Sequence, residues 1–312
     1  MKSTKTKSKR FVSTIIAAIL LVASILAGGA LFIGCSSKVP EFLPQIAEMG
    51  GVMLTARTSG RYFEVFAGEG WMPFIVKGVN IGTALPGKYF TQFPMDRDVY
   101  RLWLEQAAAL NANTIRLYTL LDPLFYQVFR EYNISAAPHK RIWLLQEIWP
   151  DEDIPGGNYF DPDYMENYMQ EIRHVVDALH GNAEIRARRG RAFGSYGVDV
   201  SPFLLGLLIG NEMEPHVVLQ NDEINSNLKV YNGDFVQAVA GASATEIWLA
   251  MMCDYTLSYS TENYGWQHPV SFVSWPTLDP LDHPTEWNIY VKNQRNIMIW
   301  QILIRITCSR VS

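Results

Sequence analysis

Leu207-Leu-Ile-Gly-Asn-Glu-Met-Glu-Pro-His216 ends a short apolar run with an amide and a carboxyl side by side. The run from Phe203 to Ile209 is apolar throughout, which predicts a strand buried on both faces, as in parallel sheets. It stops at Asn211-Glu212, so these two residues stand at the strand's C-terminal tip. Where strands and helices alternate around a barrel, reactive groups collect at that tip. A carboxyl held there is expected to be partly desolvated, which raises its pKa and suits it to proton donation near neutrality. The competing reading is that Glu212 only caps the following loop.

The flanking sequence alternates between the two periods. Tyr62 to Phe66 and Phe74 to Val79 read as strands, joined through Gly68, Gly70 and Trp71. Asp96 is placed to cap a helix with Val99, Leu102, Trp103, Ala107 and Leu110 on its apolar face, ending at Asn111. Thr114 to Tyr118 is a second strand, and Asp122-Pro123 opens a helix with proline in its first turn. Ile142 to Gln146 follows as a strand. Asp161-Pro162 then starts a helix with Met165, Met169, Ile172, Val176 and Leu179 on one face and Gly181 as its stop. Arg186 to Arg191 read as a solvated basic connector before the strand leading to Glu212. Met213 to Ala242 form a long loop of the kind that usually carries function. Ser243-Ala-Thr-Glu246 is a capping box, and Pro269 to Ser274 is a fifth strand.

Repeated strand-helix units predict an α/β fold with a parallel sheet. An open doubly wound sheet would carry Gly-x-Gly-x-x-Gly after its first strand. Asn80-Ile-Gly-Thr-Ala-Leu-Pro-Gly87 lacks that pattern, so a barrel is favoured. The net charge of −5 gives no reason to expect nucleic acid. The nine Trp and fifteen Tyr suit a sugar-binding cleft, where a pyranose face packs on a ring, and equally a large core. Cys253 and Cys308 make neither a metal-ligand spacing nor a disulfide framework, and no cofactor or metal is expected.

Lys77-Gly-Val-Asn80, Asn113-Thr-Ile-Arg-Leu-Tyr118 and Gly210-Asn-Glu212, in this order on successive strands, resemble the clan A glycoside hydrolases. These are TIM-barrel retaining enzymes whose fourth strand ends in Asn-Glu. The similarity spans roughly residues 74 to 280, and Asp122-Pro123 after the second motif resembles the clan's β-glucan-remodelling transglycosylases. The resemblance implies that Glu212 is the general acid/base and that Asn211 bonds the substrate's 2-hydroxyl. It also implies that Arg116 holds the nucleophile ionised; a structural salt bridge in the barrel mouth is the alternative. Asn80, Tyr118, Trp149 and Trp275 are expected to line the substrate cleft, with Gln146 and Glu147 beside them, unless they only pack its rim.

The clan carries its nucleophile on the seventh strand, and about five of eight strand-helix units are counted before residue 280. Glu286 is the nearest substitute. From Asn288 to Ser312 there is no Asp, Glu, Gly, Pro or Ala, and this tail resembles a different reading frame. The chain as given is therefore expected to lack turnover. At the N-terminus, Lys2, Lys5, Lys7, Lys9 and Arg10 precede an uncharged run from Phe11 to Gly34, long enough to span a bilayer. Two readings stand: an uncleaved anchor, or a signal peptide processed before Cys35, since Leu31-Phe-Ile-Gly-Cys35 resembles a lipoprotein cleavage site. Either puts the remainder outside the cytoplasm.

The organisation expected is a signal or anchor (1–37), a linker with leading strands (38–73), a partial barrel (74–287) and the atypical tail (288–312). The expected function is an extracytoplasmic, membrane-anchored glycoside hydrolase or transglycosylase acting on a β-linked oligo- or polysaccharide. A non-catalytic carbohydrate-binding or cell-surface protein is the alternative.

Overall fold

A computed structural model describes residues 43–273 and Ile302–Leu303. The N-terminal segment with Cys35, Trp275, Glu286 and the tail other than Ile302–Leu303 lie outside the described residues. The first elements are antiparallel. β1 (Ala47–Met49) pairs with β2 (Val52–Leu54), and β3 (Ala56–Ser59), β4 (Tyr62–Phe66) and β5 (Trp71–Phe74) form a meander. Phe74 therefore closes the meander, and the first parallel strand, β6 (Gly78–Ile81), starts later than the sequence suggests. The link between them is held by Asn113, whose side chain accepts from Lys77 N at 2.8 Å and donates to Ile75 O at 2.9 Å.

Strands and helices then alternate: α1 (Arg97–Ala109), β7 (Thr114–Leu117), α2 (Pro123–Ser135), β8 (Trp143–Ile148) and α3 (Pro162–Leu179). After a hairpin of β9 (Ala183–Ile185) and β10 (Gly194–Tyr196) comes β11 (Leu204–Ile209). α4 (Pro215–Ile224), the short pair β12 (Tyr231–Asn232) and β13 (Gln237–Ala238), α5 (Ala244–Tyr264) and β14 (Val270–Phe272) follow. β15 (Ile302–Leu303) extends the short pair through β13. The central sheet has the order β14-β11-β8-β7-β6, with every pairing parallel. Spatial order thus follows chain order with no reversal. A doubly wound sheet would reverse direction at a switch point, so five units wound in one sense are what a barrel of this type requires. No helix among the described residues is long and apolar enough to cross a membrane.

The helix ends follow local chemistry. Asp96, Asp122 and Asp161 each cap a helix with the side chain, and Ser243 and Glu246 close a reciprocal box. The expected face of α1 holds only in part: Ala107 is buried and Val99 and Trp103 half-buried, but the stripe is rotated. Tyr100, Leu104 and Ala107 are its buried stripe, while Leu102 is 50% and Leu110 73% exposed. Tyr100 points inward because its hydroxyl donates to the buried Asp122 carboxylate at the start of α2, a tertiary contact that hydropathy does not register. The expected loop after Glu212 is also corrected, since it holds α4 and the β12–β13 pair. The turn of that pair is moored by Asp254 of α5, which accepts from Phe235 N at 2.7 Å, Val236 N at 2.8 Å and the Tyr231 hydroxyl at 2.9 Å.

The sheet's outer face supplies Ile115, Leu117, Leu144, Leu207 and Ile209 to the main core under the helices. Its inner face changes character along the strands. At the N-terminal end Trp143 and Leu205 pack with Ala56, Phe63, Val65 and Phe74 of the meander. A register shift between Leu204 and Gly206 makes Leu205 the extra residue and turns it to this side. Further along, the register aligns Asn80, Arg116 and Leu145 in one row, with Glu147 and Leu208 in the next. The inner face runs from an apolar plug to charged groups at the C-terminal ends.

Candidate active site at the strand ends

The carboxyl that the fold desolvates is Glu147, not Glu212. Two residues past Leu145 on the same face of β8, Glu147 is fully buried. One of its oxygens, Oε2, accepts from Arg116 Nε at 3.0 Å and Nη2 at 2.5 Å. The other, Oε1, has no hydrogen-bond partner among the described residues. Burial pushes the Glu147 carboxyl up to about 7; Arg116 opposes this and the charge of Glu212 adds to it. Arg116 thus makes an ion pair in the mouth of the sheet. Its guanidinium also lies 4.8 Å from the centre of the Tyr118 ring, and Tyr118 meets Trp149 edge-on at 6.1 Å. Buried acid, guanidinium and two rings form one supported series leading out to solvent.

Glu212 is exposed, three residues beyond the end of β11. Its path is set by Gly210, whose φ of 93° favours glycine, and by the buried Tyr168 hydroxyl. That hydroxyl donates to Ile148 O at 2.6 Å and accepts from Gly210 N at 2.8 Å, tying the ends of β8 and β11 together. Glu212, Tyr118 and Trp149 all line a cleft of about 800 Å³. Of the other expected residues, Asn80 is exposed beside Arg116 in register, and Asn211 is buried at 7% exposure and is not among the residues that line the cleft. Gln146 faces the helices, where its Oε1 accepts from the Tyr126 hydroxyl at 2.8 Å.

Several cleft residues are not apparent from sequence. The loop after β6 contributes Lys88, Phe90 and Phe93, and the loop after β8 contributes Asp151 and Glu152. Arg189 and Arg191 come from the segment expected to be a solvated connector. Arg188 and Arg191 instead reach Glu171 of α3, a carboxyl only 5% exposed. Burial alone would raise Glu171, but a hydrogen bond from His174 and the charges of Arg191 and Arg188 outweigh it and hold the group at about 2. Arg191 also donates to Trp149 O at 2.8 Å and to Asp151 at 2.6 Å, so the buried acid indirectly fixes the Trp149 wall. The only available signal was the acidic cluster Asp151-Glu-Asp153 after β8, which can recruit arginines.

No protein-family model and no curated protein matches this sequence. Among solved structures, the chain is similar to an endo-1,4-beta-mannanase from Rhizomucor miehei, with 15% identity and a TM-score of 0.42 over 76% of this chain and 64% of the mannanase. It is also similar to a beta-glucuronidase from Parabacteroides merdae, with 14% identity and a TM-score of 0.35 over 73% of this chain and 20% of that one. The chain spans less than two thirds of either neighbour, and likenesses this distant assign no activity.

Proposed function

We propose that this chain is a glycoside hydrolase or transglycosylase that acts on a β-linked glycan by the retaining course, with Glu212 as general acid/base. The observation that carries the reading is an exposed Glu212 carboxylate in a strand-end cleft walled by Tyr118 and Trp149. Rings of this kind pack against the apolar face of a pyranose. Glu212 protonates the glycosidic oxygen as the bond to the anomeric carbon breaks, and later deprotonates the attacking water or sugar hydroxyl. The intermediate is carried by a second carboxylate, which the clan A resemblance assigns to a strand beyond the five described. Export through the N-terminal segment, anchored or lipidated at Cys35, belongs to this reading.

One observation favours the second reading, glycan binding without turnover: Arg116 is engaged by Glu147 rather than by a carboxylate facing the cleft. The two separate in one assay. The chain, and a version extended in the alternative frame after Trp287, are incubated with β-glucan, β-mannan and nitrophenyl β-glycosides. The extended version is expected to turn over polysaccharide, and Glu212→Gln to lower that rate about 100-fold or more. Nitrophenyl glycosides should lose less, because their leaving groups need less proton assistance. Binding without turnover in both versions assigns the second reading, and neither binding nor turnover refutes both.

A further inference from the structure

We propose that the loop between β6 and α1 is a distal sugar subsite with Phe90 as its stacking platform, so that the cleft holds a chain of several sugar units. This inference rests on the carbohydrate reading above and extends it to substrate length. Phe90 lines the cleft yet is 73% exposed. A ring left in water on a floppy loop would say little, but this loop is held from within. Thr83 Oγ1 donates to Phe90 O at 2.5 Å, Tyr89 N donates to Gln92 Oε1 at 3.0 Å, and Gln92 N donates to Tyr89 O at 2.8 Å. Phe93, three residues on, packs against the main core. The backbone under Phe90 is fixed while its ring stays free, which is the pre-organised state a stacking platform needs.

A second element lies beside the loop. At Gly190, φ 73°, the arginine connector passes beside the loop, where an added Cβ would sit at an ordinary van der Waals distance of 3.9 Å from Thr91 Cγ2. That connector is moored to buried Glu171 through Arg188 and Arg191. The connector beside the loop is therefore anchored to the same ion cluster that fixes the Trp149 wall.

The spacing gives the substrate class. Phe90 follows β6, Tyr118 follows β7, Trp149 follows β8 and Glu212 follows β11, the four strands being neighbours in that order. The segments after β6, β7 and β8 each bring rings to the cleft, Phe90 and Phe93 from the first, before the row reaches the carboxylate. Three inter-strand steps of about 4.8 Å separate β6 from β11 by roughly 14 Å at the level of the sheet, and the Phe90 loop and Glu212 extend from those two strands. A single pyranose ring does not bridge that span; an oligosaccharide lying across the strand ends does.

The experiment measures binding by calorimetry to the full chain carrying Glu212→Gln, which prevents turnover, with and without Phe90→Ala. The probes are cellohexaose, laminarihexaose and mannohexaose, with the matching disaccharides. For whichever hexasaccharide binds, Phe90→Ala is expected to weaken affinity about tenfold, with the disaccharide unchanged and Phe90→Trp retaining affinity. Because the side chain is exposed, the melting temperature should not move, and this is measured alongside. Hexasaccharide affinity unaffected by Phe90→Ala overturns the subsite and leaves the functional reading standing. Equal loss for both lengths also overturns it. Absence of binding by every probe, before Phe90 is altered, sinks the functional reading and the subsite together.

Discussion

Replacing Glu147 with Gln should stabilise the protein at alkaline pH and do little at acid pH. In the folded state the carboxyl ionises near 7 against an ordinary 4.5, because burial outweighs the attraction of Arg116. That difference corresponds to about 3 kcal/mol between protonated and ionised forms. Since the folded value is raised, this contribution is fully present below about pH 4.5 and is lost as pH rises through about 7. Gln is a near-isostere that cannot ionise, so its stability does not follow that curve. The opposing effect would be an arginine left uncompensated, and breaking a buried pair costs about 3–5 kcal/mol. Arg116 is 26% exposed and Glu147 not at all, so water can solvate the cation once its partner is neutral. Urea unfolding at pH 5 and pH 8.5 gives the test. The variant should match the parent within about 1 kcal/mol at pH 5 and exceed it by about 3 kcal/mol at pH 8.5, roughly 6–12 °C in melting temperature. A parent-variant gap that is the same at both pH values, or a variant weaker at pH 8.5, would refute the account of Glu147.

Gly233→Ala drives a Cβ into the Asp254 carboxyl that moors the β12–β13 turn. It should cost about 2 kcal/mol in chemical denaturation, and a neutral result would mean that the turn is not held by Asp254. His268 is buried, donates from Nε2 to Ser201 O at 3.1 Å, and is lowered to about 3 by burial and by neighbouring His180. Its contribution is present above about pH 6.5 and lost as pH falls towards the folded value, so His268→Gln should flatten the acid limb of a melting-temperature profile between pH 6.5 and 4; an unchanged limb would count against it.

Features set by neighbouring residues could be read directly from sequence. The Asp122-Pro123 and Asp161-Pro162 starts, the Ser243 box and the stop at Gly181 are all observed, because a cap needs only three or four consecutive residues. The parallel alternation was legible for the same reason. What escaped depends on partners far along the chain. Tyr100 turns inward to meet Asp122, Arg188 and Arg191 leave solvent to meet Glu171, and Glu147 is buried by its pairing with Arg116, 31 residues away. Glu212 and Trp149 could be placed at strand ends from periodicity, whereas Phe90 could not, because the loop that presents it has no period. The burial of Asn211 depends on the turn at Gly210, which the dipeptide itself does not encode.

The winding of the central sheet has a consequence for biosynthesis. Each parallel strand lies beside the one translated just before it, so every pairing closes over a single intervening segment. Such a sheet can be laid down strand by strand as the polypeptide leaves the ribosome, with no strand waiting for a distant partner. The β3–β5 meander emerges before the parallel sheet and already carries Phe63, Val65 and Phe74, the side chains that cover Trp143 and Leu205. It gives the growing inner face an apolar surface to settle on. A circular permutation that moved the meander to the C-terminus would keep every contact, yet leave that face uncovered until synthesis was complete.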